Sequence, residues 1–372
     1  MSDPVEIIVA GDLVLDEPDA SHWLSGIAPA VRAADLAIGH LEVPHGRQGA
    51  ELQGDVPAPA APLENLAALR DAGFRMLSMA GNHIADCGPE GIADTIAELD
   101  RLGIGHAGAG DTLTQARAPA FASCAGRRVA LLSYNCVGPE AAWAREDRAG
   151  CAWLRVDTAD GAPIAPAAAL DRMAADVPDL LAGDVAAARA EADLVLVALH
   201  KGIVHRPAVL APYERSIAHA AIDAGADAVI GHHAHIVRGI EFRRGKPVFH
   251  GLGNGCVVTS ALAPDQDHPA RREWAERRQR LFGFRPDPAY RLAPFHPEAI
   301  NAMLGRLLWH EDGRLEAGIV PVHVEPPGRP VLAQGARAQE IMRYVADITR
   351  AGGLPAVHMT GAGLVRQGEA GA

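Results

Sequence analysis

The sequence predicts a layered α/β fold. Short apolar runs that end in Gly, Asn or His alternate with stretches of helical periodicity. That rhythm places strands in the middle of a molecule and helices on their faces. Apolar residues make up 49% of the 372 and charged residues 22%, a globular composition with ample material for a core. No run of about 18 apolar residues occurs, which argues against a membrane-spanning helix.

Glu6-Ile7-Ile8-Val9-Ala10 reads as a buried strand closed by a turn at Gly11-Asp12. Asp35–Gly39 repeats the pattern. Pro57–Pro62 is a Pro/Ala loop, followed by a helix over Leu63–Ala72, a strand over Arg75–Met79 and a turn at Ala80-Gly81-Asn82-His83. Apolar positions on one face make Pro89–Leu102 a helix. Arg128–Tyr134 and Leu194–Leu199 are further buried strands, with the Ala/Asp-rich segment Ala165–Ala192 as a helix between them. Pro207–Ala224 is expected to be helical, Ala228–Ile230 a strand running into histidines, and Pro247–His250 another strand. Arg314–Val324 reads as strand and Ala336–Arg350 as helix. The Gly-rich last dozen residues are expected to fray. Residues 1–360 are expected to form one domain with insertions at about 136–190 and 255–295, and 361–372 a frayed tail.

The N-terminus is acidic and lacks the basic start and apolar stretch of a secretory signal, so the expected location is cytoplasmic. With 34 basic residues against 46 acidic ones, the formal charge of −12 argues against nucleic acid or an anionic membrane as partner. Cys87, Cys124, Cys136, Cys151 and Cys256 are scattered without a CxxC pair, which fits reduced, buried thiols. Only two of the basic residues are lysines, Lys201 and Lys246.

Candidate metal ligands recur just after apolar strands: Asp12, Glu42, Asn82 with His83, His200, then His232, His233 and His235. In layered α/β folds the carboxyl ends of strands converge on one edge, and sites form there. Mixed oxygen and nitrogen donors suit Zn, Mn, Fe or Mg. In His233-Ala234-His235, alternate residues of an extended segment would point the same way. Gly255–Phe295 breaks the rhythm with a run of arginines and aromatics that includes Arg277 and Arg278. It reads either as a solvated helix or as a substrate-recognition insertion, since arginine holds carboxylates and aromatics supply contact area.

These stretches carry a resemblance. Val9-Ala10-Gly11-Asp12, Gly39-His40-Leu41-Glu42, Ala80-Gly81-Asn82-His83, the strand ending in His200, Gly231-His232-His233-Ala234-His235 and Gly251-Leu252-Gly253-Asn254 together resemble the poly-γ-glutamate capsule-biosynthesis (CapA) family, which is similar in fold to calcineurin-like metallophosphoesterases. The resemblance implies a four-layer αββα sandwich with one or two divalent metal ions (Mn, Zn, Fe, Mg or Ca) and no organic cofactor. It implies Asp12, Glu42, Asn82, His200, His233 and His235 as ligands, with Glu42 bridging, and leaves out His232. It also implies His83 as acid/base, with Asp86 holding its second nitrogen; Asp86 reads equally well as a helix cap. The chain departs from the family pattern at His40, where Asn is usual, at Lys201, where Trp is usual, and at Gly255, where an aromatic is usual and glycine would open space. His40 reads as an extra ligand or an extra acid/base, and Lys201 as an amine base or an ordinary lysine. The added His40 and Lys201 favour proton chemistry: epimerisation at the Cα of a peptide residue, as in a CapA-like lasso-peptide epimerase. The alternatives are phosphoester or amide hydrolysis, or a role in capsule biosynthesis. A peptide or poly-amino-acid is the expected substrate, held in part by Arg277 and Arg278.

Overall fold

Successive side chains of the strand Val5–Leu15 face opposite ways and nearly all are buried, so the strand is covered on both sides. The structure, a computed structural model, describes residues 3–47, 60–165, 168–263 and 265–368. In it Val5–Leu15 lies inside an eight-stranded sheet. It pairs in parallel with Leu36–Leu41, antiparallel with Asn301–Trp309 and, past a register shift at Asp12, in parallel with Asn254–Val258. Met76–Ser78 and Gly105–Ala107 extend one side; Leu315–Glu325 and Arg329–Leu332 extend the other. A second, six-stranded sheet runs in the order Ile240–Arg243, Lys246–Phe249, Ala228–His232, Leu194–His200, Arg127–Asn135, Ala120–Cys124, with its middle pairs parallel.

The pleat sorts the apolar side chains into layers. Ile7, Val9, Ile38 and Met76 of the first sheet pack with Leu131, Leu196, Ala198 and Ile230 of the second. The opposite faces meet helices. Ala30, Val31 and Ala37 pack beside Leu66, Leu69, Ile92 and Leu99, and Leu132, Val195 and Val197 beside Leu181, Val185, Ile217 and Ala221. The helices Leu66–Ala72 and Gly88–Leu102 thus flank one sheet, and Val177–Arg189 and Pro212–Asp223 the other. This is the αββα order.

Several expectations need correction. The first strand does not turn at Gly11-Asp12 but runs on to Leu15. A Cβ at Gly11 would stand 1.9 Å from the Gly253 carbonyl oxygen, so only glycine lets the two segments meet. Gly255 serves the same approach: a Cβ there would be 2.9 Å from the Gly11 oxygen, so it closes strands together instead of opening space. Among the described residues of 165–192 only Val177–Arg189 is helical, started by Pro178, while Leu170–Met173 pairs with Val156–Thr158. The next helix begins at Pro212, where the Ala211 N–H donates to Glu214. The break after Gly255 is partial, because Asn254–Val258 is a strand and Pro269–Phe282 a helix. Asn301–Trp309 is a strand that the apolar runs did not announce. Val365–Gln367 pairs with Val357–Met359 where fraying was expected, and residues 369–372 lie outside the described residues, as do 57–59 of the Pro/Ala loop. All five cysteines are buried and free.

Gly11→Ala is expected to lower stability by about 1–3 kcal/mol through overpacking against the Gly253 carbonyl. Urea unfolding measures this, and an unchanged midpoint would contradict the close approach.

Candidate metal centre

Both sheets present their carboxyl ends to the same edge, and the polar residues gather there. Asp12 lies within the first strand, His40 and Glu42 at the end of the second, and His200 and His232 at the ends of two strands of the other sheet. The turn that carries Asn82 is held from the second sheet. Ala80 N–H donates to Ser133 Oγ at 3.1 Å, and Asn135 Nδ2 donates to the Gly81 carbonyl at 3.0 Å. A Cβ at Gly81 would come within 3.2 Å of His40 Nε2 and 3.4 Å of His200, so glycine leaves room for both rings.

His233 and His235 reach the centre differently from the expected extended zigzag. The strand ends at His232, and both residues adopt left-handed backbone conformations, φ 85° and 53°. Such conformations are costly for a non-glycine residue and cluster at functional sites. Here the turn brings His233 Nδ1 to 3.0 Å from His200 Nε2, and His235 Nε2 to 3.2 Å from Glu42 Oε1. Asn82 Oδ1 is 2.7 Å from His200 Nε2, and His233 N–H donates to Asp12 Oδ1 at 3.2 Å. All six expected ligands therefore converge: Asp12, Glu42, Asn82 and His200 are 8% exposed or less, and His233 and His235 line the cavity beside them.

The donor set fits divalent cations. Neither Glu42 oxygen has an aligned hydrogen bond, nor do His40 Nε2 and His200 Nδ1, although all are buried. Buried acceptors left in this state call for a partner. Two groups of three have ligand atoms within 4.8 Å of one another: Asp12 with His40 and His200, and Asp12 with Glu42 and His235. Asp12, not Glu42, is common to both groups. Burial, with the charge of Glu42 beside it, pushes the Asp12 carboxyl up. Burial opposes the charge of Glu42 too, but His235 holds its carboxyl low. Burial, with neighbouring imidazoles, lowers His40, His200 and His233, which keeps these rings neutral, the form that binds metal.

His40 joins the ligand cluster and is not placed as an acid/base facing a substrate. Its Nδ1 is 2.9 Å from Ser78 Oγ, and its ring stacks on His232 with centroids 4.4 Å apart. His232 turns Nε2 to the Ala10 carbonyl. His83 does face the cavity beside the centre, with Nδ1 2.7 Å from Asp86 Oδ2. That contact fixes the orientation of the ring.

Lys201 is a correction. Its side chain is wholly buried behind the centre, with Nζ donating to Glu214 Oε2 at 2.9 Å and lying 3.1 Å from His250 Nδ1. His250 Nε2 in turn meets Glu241 Oε1 at 2.9 Å. A lysine sealed against a carboxylate lines no substrate space, so it is not placed to serve as a base. Arg277 is exposed near the Trp274 ring, away from the cavity wall, whereas Arg278 is buried in that wall. Sequence reasoning missed Asn254, whose Oδ1 is 2.9 Å from His235 Nδ1, and the buried Glu214, His250 and Glu241. For Asn254 the signal was the family-like stretch Gly251–Asn254; Glu214, His250 and Glu241 carried none beyond their polarity.

Comparison with known proteins points one way. The family profile of the bacterial capsule synthesis protein PGA_cap matches residues 6–257. A probable polyglutamine synthesis accessory protein of Mycobacterium tuberculosis is 35% identical over 195 residues, 51% of this chain and 47% of its own length. The PGA biosynthesis protein CapA of Bacillus subtilis is 27% identical over 65% of this chain and 58% of its own, and the capsule biosynthesis protein CapA of Bacillus anthracis 25% identical over 61% and 52%. The chain thus spans about half the length of these curated relatives. Among solved structures, a hypothetical protein from Thermus thermophilus aligns at 18% identity over 86% of this chain and 100% of its own, with a TM-score of 0.45. The calcineurin-like phosphoesterase YfkN from Bacillus subtilis aligns at 10% identity over 94% and 98%, with a TM-score of 0.37. No helix among the described residues is long and apolar enough to cross a membrane.

Asp12→Ala and His235→Ala are each expected to lose at least half of the bound metal, read by elemental analysis after manganese loading and desalting. Full retention in both would remove the ligand assignment. Glu214→Gln leaves the Lys201 ammonium buried without its counter-ion and is expected to cost about 3–5 kcal/mol of stability in denaturant unfolding.

Proposed function

The chain belongs to the bacterial capsule synthesis protein family, and from that premise we propose that it is a metal-dependent enzyme that inverts a Cα centre in a peptide or poly-amino-acid chain. The observation that carries this reading is the His83–Asp86 dyad, which opens on a cavity of about 580 Å³ beside the ligand cluster. The cavity wall is mostly apolar, with Ile164, Leu170, Trp274 and Phe282 among its residues. A polyanion such as poly-γ-glutamate would bring a carboxylate with every residue, and such a wall suits an apolar residue better.

Asp12, Glu42, Asn82, His40, His200, His233 and His235 would hold one or two divalent cations. A bound cation supplies Lewis-acid polarisation of a carbonyl or carboxylate oxygen. The rest falls to side chains. His83 Nε2 takes the proton from Cα as the C–H bond breaks, and the electron pair delocalises into the adjacent carbonyl. Asp86 accepts from Nδ1–H, fixes the tautomer and stabilises the imidazolium. A proton then returns to Cα from the other face. Burial, with the Arg278 charge, keeps the His205 ring neutral, so this other cavity imidazole outside the ligand cluster relays a solvent proton, taking one up as it passes one on. Its ring lies 5.6 Å from that of His235 and against Phe282 and Phe284.

A second reading is hydrolysis of a phosphoester or amide, favoured by the burial of Lys201 against Glu214. A single dyad beside a metal centre is sufficient for attack by water.

Incubating the manganese-loaded protein with peptides that end in a large apolar residue, in heavy water, separates the two. Inversion places one deuterium at one Cα without a change in chain length; hydrolysis gives two fragments and solvent oxygen in the product. His83→Ala is expected to slow exchange by about 10²–10⁴-fold, and chelation to abolish it. Fragments without Cα exchange would overturn the reading in favour of the second.

A further inference from the structure

The cavity beside the metal centre holds a charge that no carboxylate among the described residues balances. Arg278 projects into its wall from the helix Pro269–Phe282 and is 4% exposed. Its guanidinium sits over Phe284 and Phe295, 5.3 and 5.2 Å from the ring centroids. One terminal nitrogen donates to the Pro294 carbonyl, and Nε has no partner. Among the described residues no carboxylate pairs with it, and burial alone pushes its pKa down, to about 9. Every other arginine or lysine that is nine-tenths or more buried has an acidic group near: Lys201 lies against Glu214, and Arg238 4.0 Å from the same carboxylate. The acidic residue that lines the cavity, Asp171, is exposed.

The apolar side of the cavity is equally unfinished. Val209 and Leu281 are the two large apolar side chains left exposed among the described residues, 45% and 36%, and both line this cavity. Exposed apolar surface gathered at the mouth of a concave site marks a place that a ligand covers. A buried guanidinium without a counter-ion carries its full desolvation cost, and an oxyanion offsets it through charge-assisted hydrogen bonds.

We propose that the cavity binds a ligand that joins a large apolar body to one oxyanion, the oxyanion resting on Arg278 and the body against Trp274, Leu281 and Phe282. Asn82, His83, His233 and His235 line the same cavity, so a ligand anchored in this way extends to the metal centre. The inference rests on the reaction proposed above and names the substrate class for it. The oxyanion is the carboxylate of a peptide end or the phosphate of a monoester, two sources of one chemistry.

Calorimetric titration of the full chain tests this with three probes that share a body: N-acetyl-phenylalanine, N-acetyl-phenylalaninamide and phenethyl phosphate. The titrations are run in EDTA and again with manganese. The expected result in EDTA is that one of the anions binds at least tenfold tighter than the neutral amide, and that Arg278→Gln removes the preference. A stronger acid assigns the peptide end, and a stronger phosphate the monoester. Equal binding of all three, a preference seen only with manganese, or a preference that survives in Arg278→Gln overturns the proposal. If Arg278→Gln does not fold, Leu281→Asp carries the test. Position 281 is three residues on, on the same helical face, and its carboxylate would compete for the guanidinium. The favoured anion should weaken at least fivefold, and an unchanged affinity overturns the proposal. Binding is read here without turnover. A protein that keeps the preference and shows no Cα exchange therefore overturns the proposed reaction and leaves the recognition standing.

Discussion

Everything at the sheet edge depends on keeping a dense set of ionisable groups out of water. Asp12, His40, Glu42, His200 and His232 are each 3% exposed or less, and they lie side by side. Carboxylates in that position repel one another, and only a cation or a protonated imidazole makes the arrangement tolerable. His235 does part of this work from 3.2 Å, but it leaves both Glu42 oxygens without aligned hydrogen bonds. The glycine contacts, the left-handed turns at His233 and His235 and the Asn135 clamp on the Gly81 turn all serve to hold these groups where a metal ion would satisfy them.

Behind that edge a second buried set is satisfied without any ligand. Lys201, Glu214, His250 and Glu241 form a continuous chain of contacts, with Arg215 closing on Glu241 at 2.7 Å at the outer end. Each charge there has an opposite partner. The contrast separates structural from functional polarity inside one protein. The chain behind the centre is closed and rigid. Among the described residues the centre and Arg278 are left open, one short of positive charge and the other short of negative.

The central strands and the convergence of Asp12, Glu42, Asn82, His200, His233 and His235 were legible because an apolar run that stops at a polar residue is a local signal. Three things were not local. The role of Lys201 depended on Glu214, thirteen residues away and on a helix whose pattern looks ordinary. The strand through Gly11-Asp12 depended on Gly253, far along the chain, and a glycine followed by aspartate reads as a turn when its partner is unseen. The run Arg271–Arg280 looked uniformly charged, yet helical geometry buries Arg278 and leaves Arg277 in solvent. One-residue differences of this kind follow from which face packs, and composition does not carry that.

The pairing of Val5–Leu15 also bears on the order in which the protein can be completed as it is synthesised. One edge of that strand is covered early, by Leu36–Leu41. Its other edge waits for Asn254–Val258 and Asn301–Trp309, which leave the ribosome last among the strands it touches. Synthesis at about 5–20 residues per second makes that interval on the order of tens of seconds. For that time an apolar strand edge stands open in the nascent chain, a template for pairing with the wrong partner. The last of the candidate ligands, His235, and its neighbour Asn254 emerge in the same late stage, so a metal held by this set would be captured as folding closes and could not guide its beginning.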